Sequence, residues 1–310
     1  MRNNDVSPDL PNGGTRKPSG APTPQDGATS PRPRLGVKRM CQFCTQHGEG
    51  KKWYENMTNY AAEMFRQVNS EQNLLRFLRG FTKSLRDDVA IAARWQRRFP
   101  RIYRFIAYPL ISRKMEKTHF GQIVPLEDVE AILSQMEHIV RLPCVCRKVS
   151  LGTEKRYCFG VGMDLTPILA LVPDFAAFEY WTREQAITFI RQLDQEGKTH
   201  SVWTFNTPFI GAICNCDQDC MAYRAQITLG VTRTMWKAEY VAEIDPLRCT
   251  GCNLCRKRCY FEAIAVDRDN KKCVIDATAC YGCGVCRPAC QHEAIRLIDR
   301  AAVPAAAANW

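Results

Sequence analysis

Two stretches near the C-terminal end carry the same run of thiols. One reads Cys249-x-x-Cys252-x-x-Cys255-x-x-x-Cys259 and the other Cys280-x-x-Cys283-x-x-Cys286-x-x-x-Cys290. Three cysteines at short intervals in a tight loop can aim thiolates at three neighbouring corners of an iron–sulfur cube, with a fourth thiolate supplied from elsewhere. Two copies predict two 4Fe–4S clusters and a protein that handles single electrons. Two zinc sites are the competing reading. Tetrahedral Zn²⁺ prefers two separated pairs of ligands to a doubled run of this form.

The copies are an internal repeat with an offset of 31 residues. Gly251 matches Gly282, Arg256 matches Arg287, and Glu262, Ala263 and Ile264 match Glu293, Ala294 and Ile295. Such self-similarity predicts a pseudo-twofold unit in which neither half is stable alone. Gly251 and Gly282 sit between ligands, where the backbone must turn tightly. Over about residues 243–299 the stretch resembles bacterial dicluster ferredoxins. That resemblance implies that each cluster takes its fourth ligand from the other repeat. The first would use Cys249, Cys252, Cys255 and Cys290, and the second Cys280, Cys283, Cys286 and Cys259. Tyr260 and Gln291 stand where that family usually has Pro, at a position that carries no ligand.

Six further cysteines lie in three groups: Cys144-x-Cys146-Arg147, Cys158-Phe159-Gly160, and Cys214-x-Cys216-x-x-x-Cys220. Pro143 precedes the first, and Gly211 and Asn215 flank the last, so each group falls at an element boundary. Loops at element ends can converge, and four thiolates suffice for a third cluster or a Zn site. The arrangement resembles a broad family of iron–sulfur proteins with a C-terminal dicluster ferredoxin. There a helix leads into Pro-Cys-x-Cys-Arg, followed by a Cys-containing glycine loop, a helix-and-strand unit and an Asn-Cys-centred group. The matching residues are Pro143 to Arg147, Cys158 to Gly160 and Ile213 to Cys220, within a match over about 120–300. The chain departs at Asp217 and Asp219, where the family often has cysteines.

Cys144, Cys146, Cys214 and Cys216 are the first choice of ligands for this third centre, with Cys158 and Cys220 in reserve. A 4Fe–4S cluster stands ahead of Zn; a redox-active dithiol of Cys214, Cys216 or Cys220, or a set of buried inert thiols, are the alternatives. Near the N-terminus, Cys41-x-x-Cys44-x-x-His47 offers three of the four ligands of a Zn site. Cys273 falls in an expected strand between the repeats and reads as a packed thiol. His292 follows a cluster ligand and reads as a surface His. Nothing resembles a Ser/His/Asp triad, a phosphate-binding glycine loop or a dinucleotide fingerprint, so no catalytic residue is assigned.

These thiols need elements to hold them, and the pattern predicts an α+β chain. Residues 1–39 are rich in Pro, Gly and Ser and predict a disordered tail. A basic helical region over 40–117 follows, with residues 53–99 helical and Gly80 and the Phe99–Pro100 step as interruptions. A Cys-rich α/β domain over 118–240 comes next. It carries a helix over 126–140 with Pro125 before it, a second from Thr182 to Glu196 with Thr182 and Gln185 at capping-box spacing, and a strand over 201–205. Residues 241–300 form the pseudo-twofold dicluster ferredoxin-like domain, and 301–310 a tail.

The chain has 310 residues, 17 cysteines and a formal net charge of +11. Without an apolar stretch near the N-terminus, thiols in a reducing cytoplasm are expected rather than disulfides. The apolar-rich run Ile102 to Ile111 is too short to span a bilayer. Residues 38–117 hold 17 Lys or Arg against 7 Asp or Glu. Such a segment suits a redox partner protein that is acidic or membrane-associated, with Arg97, Arg98 and Arg101 as contact residues, or else it is a solvated face. No nucleic-acid motif accompanies it. The expected protein is a cytoplasmic electron carrier, or the electron-transfer subunit of an oxidoreductase, perhipheral association with a membrane being compatible with the charge. The alternative is an Fe–S reductase or reductive activator whose middle domain binds a substrate or cofactor.

Overall fold

Apolar residues at helical spacing dominate the first part of the chain, and the computed structural model, which describes residues 42–310, is helical there. The helices are α1 (Gln42–His47), α2 (Ala62–Val68), α3 (Glu71–Lys83), α4 (Val89–Arg98), α5 (Pro100–Ile102) and α6 (Tyr108–Thr118). Ser70 caps α3 by accepting from the Asn73 amide. Gly80 does not interrupt this helix. A lone glycine costs about 1 kcal/mol in a helix, and the break falls instead at Ser84–Asp88, a wide π-type turn. A second wide turn covers Tyr103–Ala107. Pro100 ends α4 as expected, because its ring excludes the helical conformation at Phe99. The expected tail 1–39 and Cys41 lie outside the described residues.

Seven strands follow: β1 (Gly121–Val124), β2 (His138–Leu142), β3 (Cys158–Gly162), β4 (Glu179–Tyr180), β5 (Thr199–Thr204), β6 (Ile210–Cys216) and β7 (Met235–Trp236). They form one sheet in the order β4-β2-β3-β6-β5-β1-β7, antiparallel except for the β1–β7 pair. Between them run α7 (Leu126–Ser134), α8 (Val145–Leu151), α9 (Thr166–Leu169), α10 (Arg183–Gln195) and, after β6, α11 (Met221–Tyr223). Alternation along the strands feeds two apolar clusters. Ile139, Val161 and Val202 pack with Val129, Ile132 and Ile190 of α7 and α10. Val140 and Leu142 pack with Leu74 and Leu78 of α3 and Ile168 of α9.

The expected helix over 126–140 is shorter than its apolar pattern. It stops at Ser134, and Ile139 and Val140 belong to β2. These β-branched residues gain more by pairing with β3 and β4 than by extending a helix. The second helix has the expected bounds within a residue, and Thr182 and Gln185 form the capping box.

The last part holds β8 (Tyr240–Ile244), α12 (Leu254–Arg258), β9 (Ile264–Val266), β10 (Cys273–Ile275), β11 (Ile295–Asp299) and α13 (Pro304–Ala307). β8 pairs with β11 and β9 with β10, both antiparallel. Ile244 faces Ile295, and 31 residues later and earlier Ile275 faces Ile264. The backbone bonds repeat too: Asp245 donates to Ala294 and Asp276 to Ala263, each at 2.8 Å. Gly251 and Gly282 both have φ above +70°, and a Cβ on either would strike a carbonyl oxygen, of Lys271 or of Tyr240. Those two carbonyls are again one repeat apart.

Residues 301–310 are not a free tail. α13 buries Ala306 and Ala307 completely, and the Arg300 guanidinium lies 5.6 Å from the Trp310 ring. Alanines form helix readily and let it approach the body closely. The borders expected near 118 and 241 fall before β1 and within β8, yet the described residues belong to one compact unit. No helix among the described residues is long and apolar enough to cross a membrane.

Candidate metal centres

The repeat brings its eight cysteines to two cavities. The first is lined by Cys249, Cys252, Cys255 and Cys290, with Cys273 beside them. The second is lined by Cys259, Cys280, Cys283 and Cys286. Each therefore gathers three thiols of one repeat and one of the other. Backbone amides point at the sulfurs in matching pairs: Ala263 donates to Cys259 and Ala294 to Cys290, both at 3.4 Å. Amide donors of this kind stabilise negative sulfur. Among the described residues no three His, Cys, Asp or Glu side chains converge on a point where one metal ion would sit. The thiols ring a space instead.

The cavities differ in what completes them. Phe261 and Tyr281 line the second and stack at 4.0 Å. The repeat-related positions, His292 and Thr250, line the first. Cys252 is exposed, whereas Cys283 is buried. Cys273 lies on β10 as expected, but its packing is against the first cavity, and it donates to Asn253 at 3.4 Å.

The six middle cysteines also meet. Pairing of Phe159 with Ile213 sets Cys158 beside Cys214 across β3 and β6. Cys144 stands at the start of α8 and Cys220 at the start of α11. Cys144 and Cys158 have sulfurs 3.5 Å apart, and Cys214 interacts with Cys158 as Cys216 does with Cys220. Cys146 lies near both Cys220 and Cys144. The geometry thus joins the four first-choice ligands and both reserves without separating them. Burial and the neighbouring thiols push Cys146 up to about 12. Free thiols in such a place stay protonated and inert, whereas a bound metal holds them as thiolates.

Arg147 occupies the middle of this chamber. It is 2 % exposed, donates to the Asn215 carbonyl at 3.1 and 3.2 Å, and pairs with Asp217 at 2.9 Å. Burial alone would lower its pKa; negative charge on Cys220 and Cys216, where these are thiolates, and on Asp217 overcomes this and holds it charged. Asp217 also takes Lys198 at 2.5 Å. The sequence marked Asp217 only as a departure from a cysteine pattern. Its partner Arg147 was visible beside Cys146, but nothing in the spacing reveals that both would be buried.

One strand pair separates the chamber from the second cavity. Thr199 on β5 faces Cys216 on β6. The buried Thr199 hydroxyl, which has no other hydrogen-bond partner among the described residues, also lies near the Cys283 thiol. The Tyr223 hydroxyl, after Cys220, donates to the Tyr260 carbonyl, after Cys259. Arg300 fixes the loop of the second cavity by donating to the carbonyls of Tyr240 and Cys280, both at 2.8 Å.

At the N-terminal motif, Cys44 is buried and donates to Glu239 at 2.6 Å, while His47 stacks on Phe43. Arg97, Arg98 and Arg101 are exposed. No protein-family model, no curated protein and no solved structure matches this chain.

Proposed function

We propose that this chain is an iron–sulfur electron-transfer protein of the dicluster ferredoxin type with an added third centre. The observation that carries the reading is the crossed lining of the two cavities, three thiols from one repeat and the fourth from the other. Cys249, Cys252, Cys255 and Cys290 would hold one 4Fe–4S cluster, and Cys280, Cys283, Cys286 and Cys259 the second. The fit rests on four thiols at each site and on amides aimed at the sulfurs. When bound, such clusters supply one-electron transfer.

The chain's own residues then suggest a direction. Exposed Cys252 makes the first site the one a soluble donor reaches. Buried Cys283, beside Thr199, makes the second site the neighbour of the six-thiol chamber. Arg147 balances negative charge there, as a site rich in thiolates requires. The six thiols exceed the four that one cube needs, which favours keeping the reductase or reductive activator as the second reading.

Low-temperature electron paramagnetic resonance of reduced protein, purified without oxygen, tests the proposal. The expected spectrum contains two magnetically coupled clusters, and Cys283→Ala simplifies it to an uncoupled signal. A silent spectrum in a folded, fully reduced sample would overturn the reading.

A further inference from the structure

Residues 89–115 run through α4, α5, the wide turn after it and most of α6. They contain seven Lys or Arg and no Asp or Glu. One side of this stretch is fixed to the body: Ala93 and Tyr103 are buried with Ala225 and Val231, and the Tyr103 hydroxyl donates to the Val231 carbonyl at 2.6 Å. The other side is uncovered. Ile91, Trp95, Phe99, Ile102, Ile106 and Leu110 are 46–60 % exposed, and Phe105 beside them is 75 % exposed. Ile91 and Trp95 are four residues apart on one face of α4, and beyond the break at Phe99 the four-residue step recurs at Ile102, Ile106 and Leu110. A single exposed apolar side chain is ordinary, but a continuous row marks an interaction surface.

The charges say which surface. All seven basic side chains of the stretch are exposed, and none forms an ion pair among the described residues. A row of bulky apolar residues, including Trp and Phe, flanked by arginines is the pattern of a helix that lies in the headgroup region of a membrane. A second copy of this chain would bring the same positive row against itself. An acidic protein would answer the arginines but leave the long apolar row without a reason. No described helix can cross the bilayer, so the stretch would lie on it.

We propose that α4 to α6 dock this protein on an anionic phospholipid bilayer. Trp95, Phe99 and Phe105 enter the boundary between headgroups and acyl chains, while Arg97, Arg98, Arg101 and Arg104 meet lipid phosphates. This inference stands independently of the cluster reading.

Co-sedimentation of the full chain with vesicles tests it. Vesicles of equal phosphatidylcholine and phosphatidylglycerol should carry the protein down, and phosphatidylcholine alone should not. Arg97→Gln, Arg101→Gln and Arg104→Gln together should weaken binding roughly a hundredfold, each basic side chain contributing about fivefold at an anionic surface. Trp95→Ser with Phe105→Ser should weaken it by roughly tenfold or more, with unchanged circular dichroism. In the native chain, brominated lipid should quench a fluorescence component that Trp95→Phe removes, a readout that needs no polar variant to fold. The inference is overturned if the native chain ignores anionic vesicles, or if Trp95 is not quenched and the serine variant binds equally well. A solution dimer that the serine variant dissolves would also overturn it, by assigning the row to a second copy.

Discussion

Arg147 and Asp217 form an ion pair of 2.9 Å in the midst of six thiols, with side chains only 2 % and 6 % exposed. A charge so placed is kept only if it is paired and hydrogen-bonded. Asp217 therefore stands in the Asn-Cys group as the counter-charge that lets Arg147 face the sulfurs.

Asp217→Ala leaves Arg147 with carbonyl and thiol partners alone. Removing one member of a buried pair costs about 3–5 kcal/mol, so urea unfolding should report a loss of that order. Burial alone would raise the Asp217 pKa, but the Lys198 hydrogen bond and the Arg147 charge lower it. Its contribution is then intact above about pH 4 and is lost as acid protonates the carboxylate at its lowered folded value. A substitution that changes stability by less than about 1 kcal/mol would class the pair with surface bridges.

His119 gives the helical layer a separate acid sensitivity. Its ring lies among Phe77, Phe81, Trp203 and Phe205, and Nδ1 donates to the Thr204 carbonyl at 2.7 Å. Burial lowers its pKa to about 4, against a smaller opposing effect of that hydrogen bond. Between the unfolded value near 6.5 and the folded value near 4 the unfolded chain binds the extra proton. Stability should thus fall by about 3 kcal/mol as pH drops through that window. His119→Phe should remove most of this fall, at a cost of about 1 kcal/mol at neutral pH for the lost hydrogen bond. An unchanged acid profile in the variant would place the sensitivity elsewhere.

The two cavities should differ in resistance to air. Cys252 is exposed and the first cavity has Thr250 and His292 where the second has Tyr281 and Phe261. Iron is expected to leave the first site first, so Cys252→Ala protein should lose its remaining iron more slowly than Cys283→Ala protein. Equal rates would mean that the aromatic pair shields nothing.

For the middle chamber, joint replacement of Cys146 and Cys216 by Ser should lower iron from about twelve to about eight per chain, four for each site. The signals of the repeat should persist. An iron content unmoved by the double change would remove the third centre.

The eight repeat cysteines were legible because short ligand spacing is local, and the pairing of Ile244 with Ile295 and Ile275 with Ile264 follows from the same repeat. Thr182 to Glu196 was legible for the same reason, since its capping box lies within four residues. Ile139 and Val140 were misread as helix because their fate depends on strands distant in sequence. The docking of residues 301–310 was hidden in alanines, which carry little pattern. Arg147, Thr199 and Arg300 were invisible as positioning residues because burial and cross-strand neighbours are tertiary facts.

Iron and acid-labile sulfide counted on protein purified without oxygen test the central claim most directly. The account predicts at least about eight of each per chain, four per cluster, and about twelve with the middle site filled. Zinc without acid-labile sulfide would contradict it.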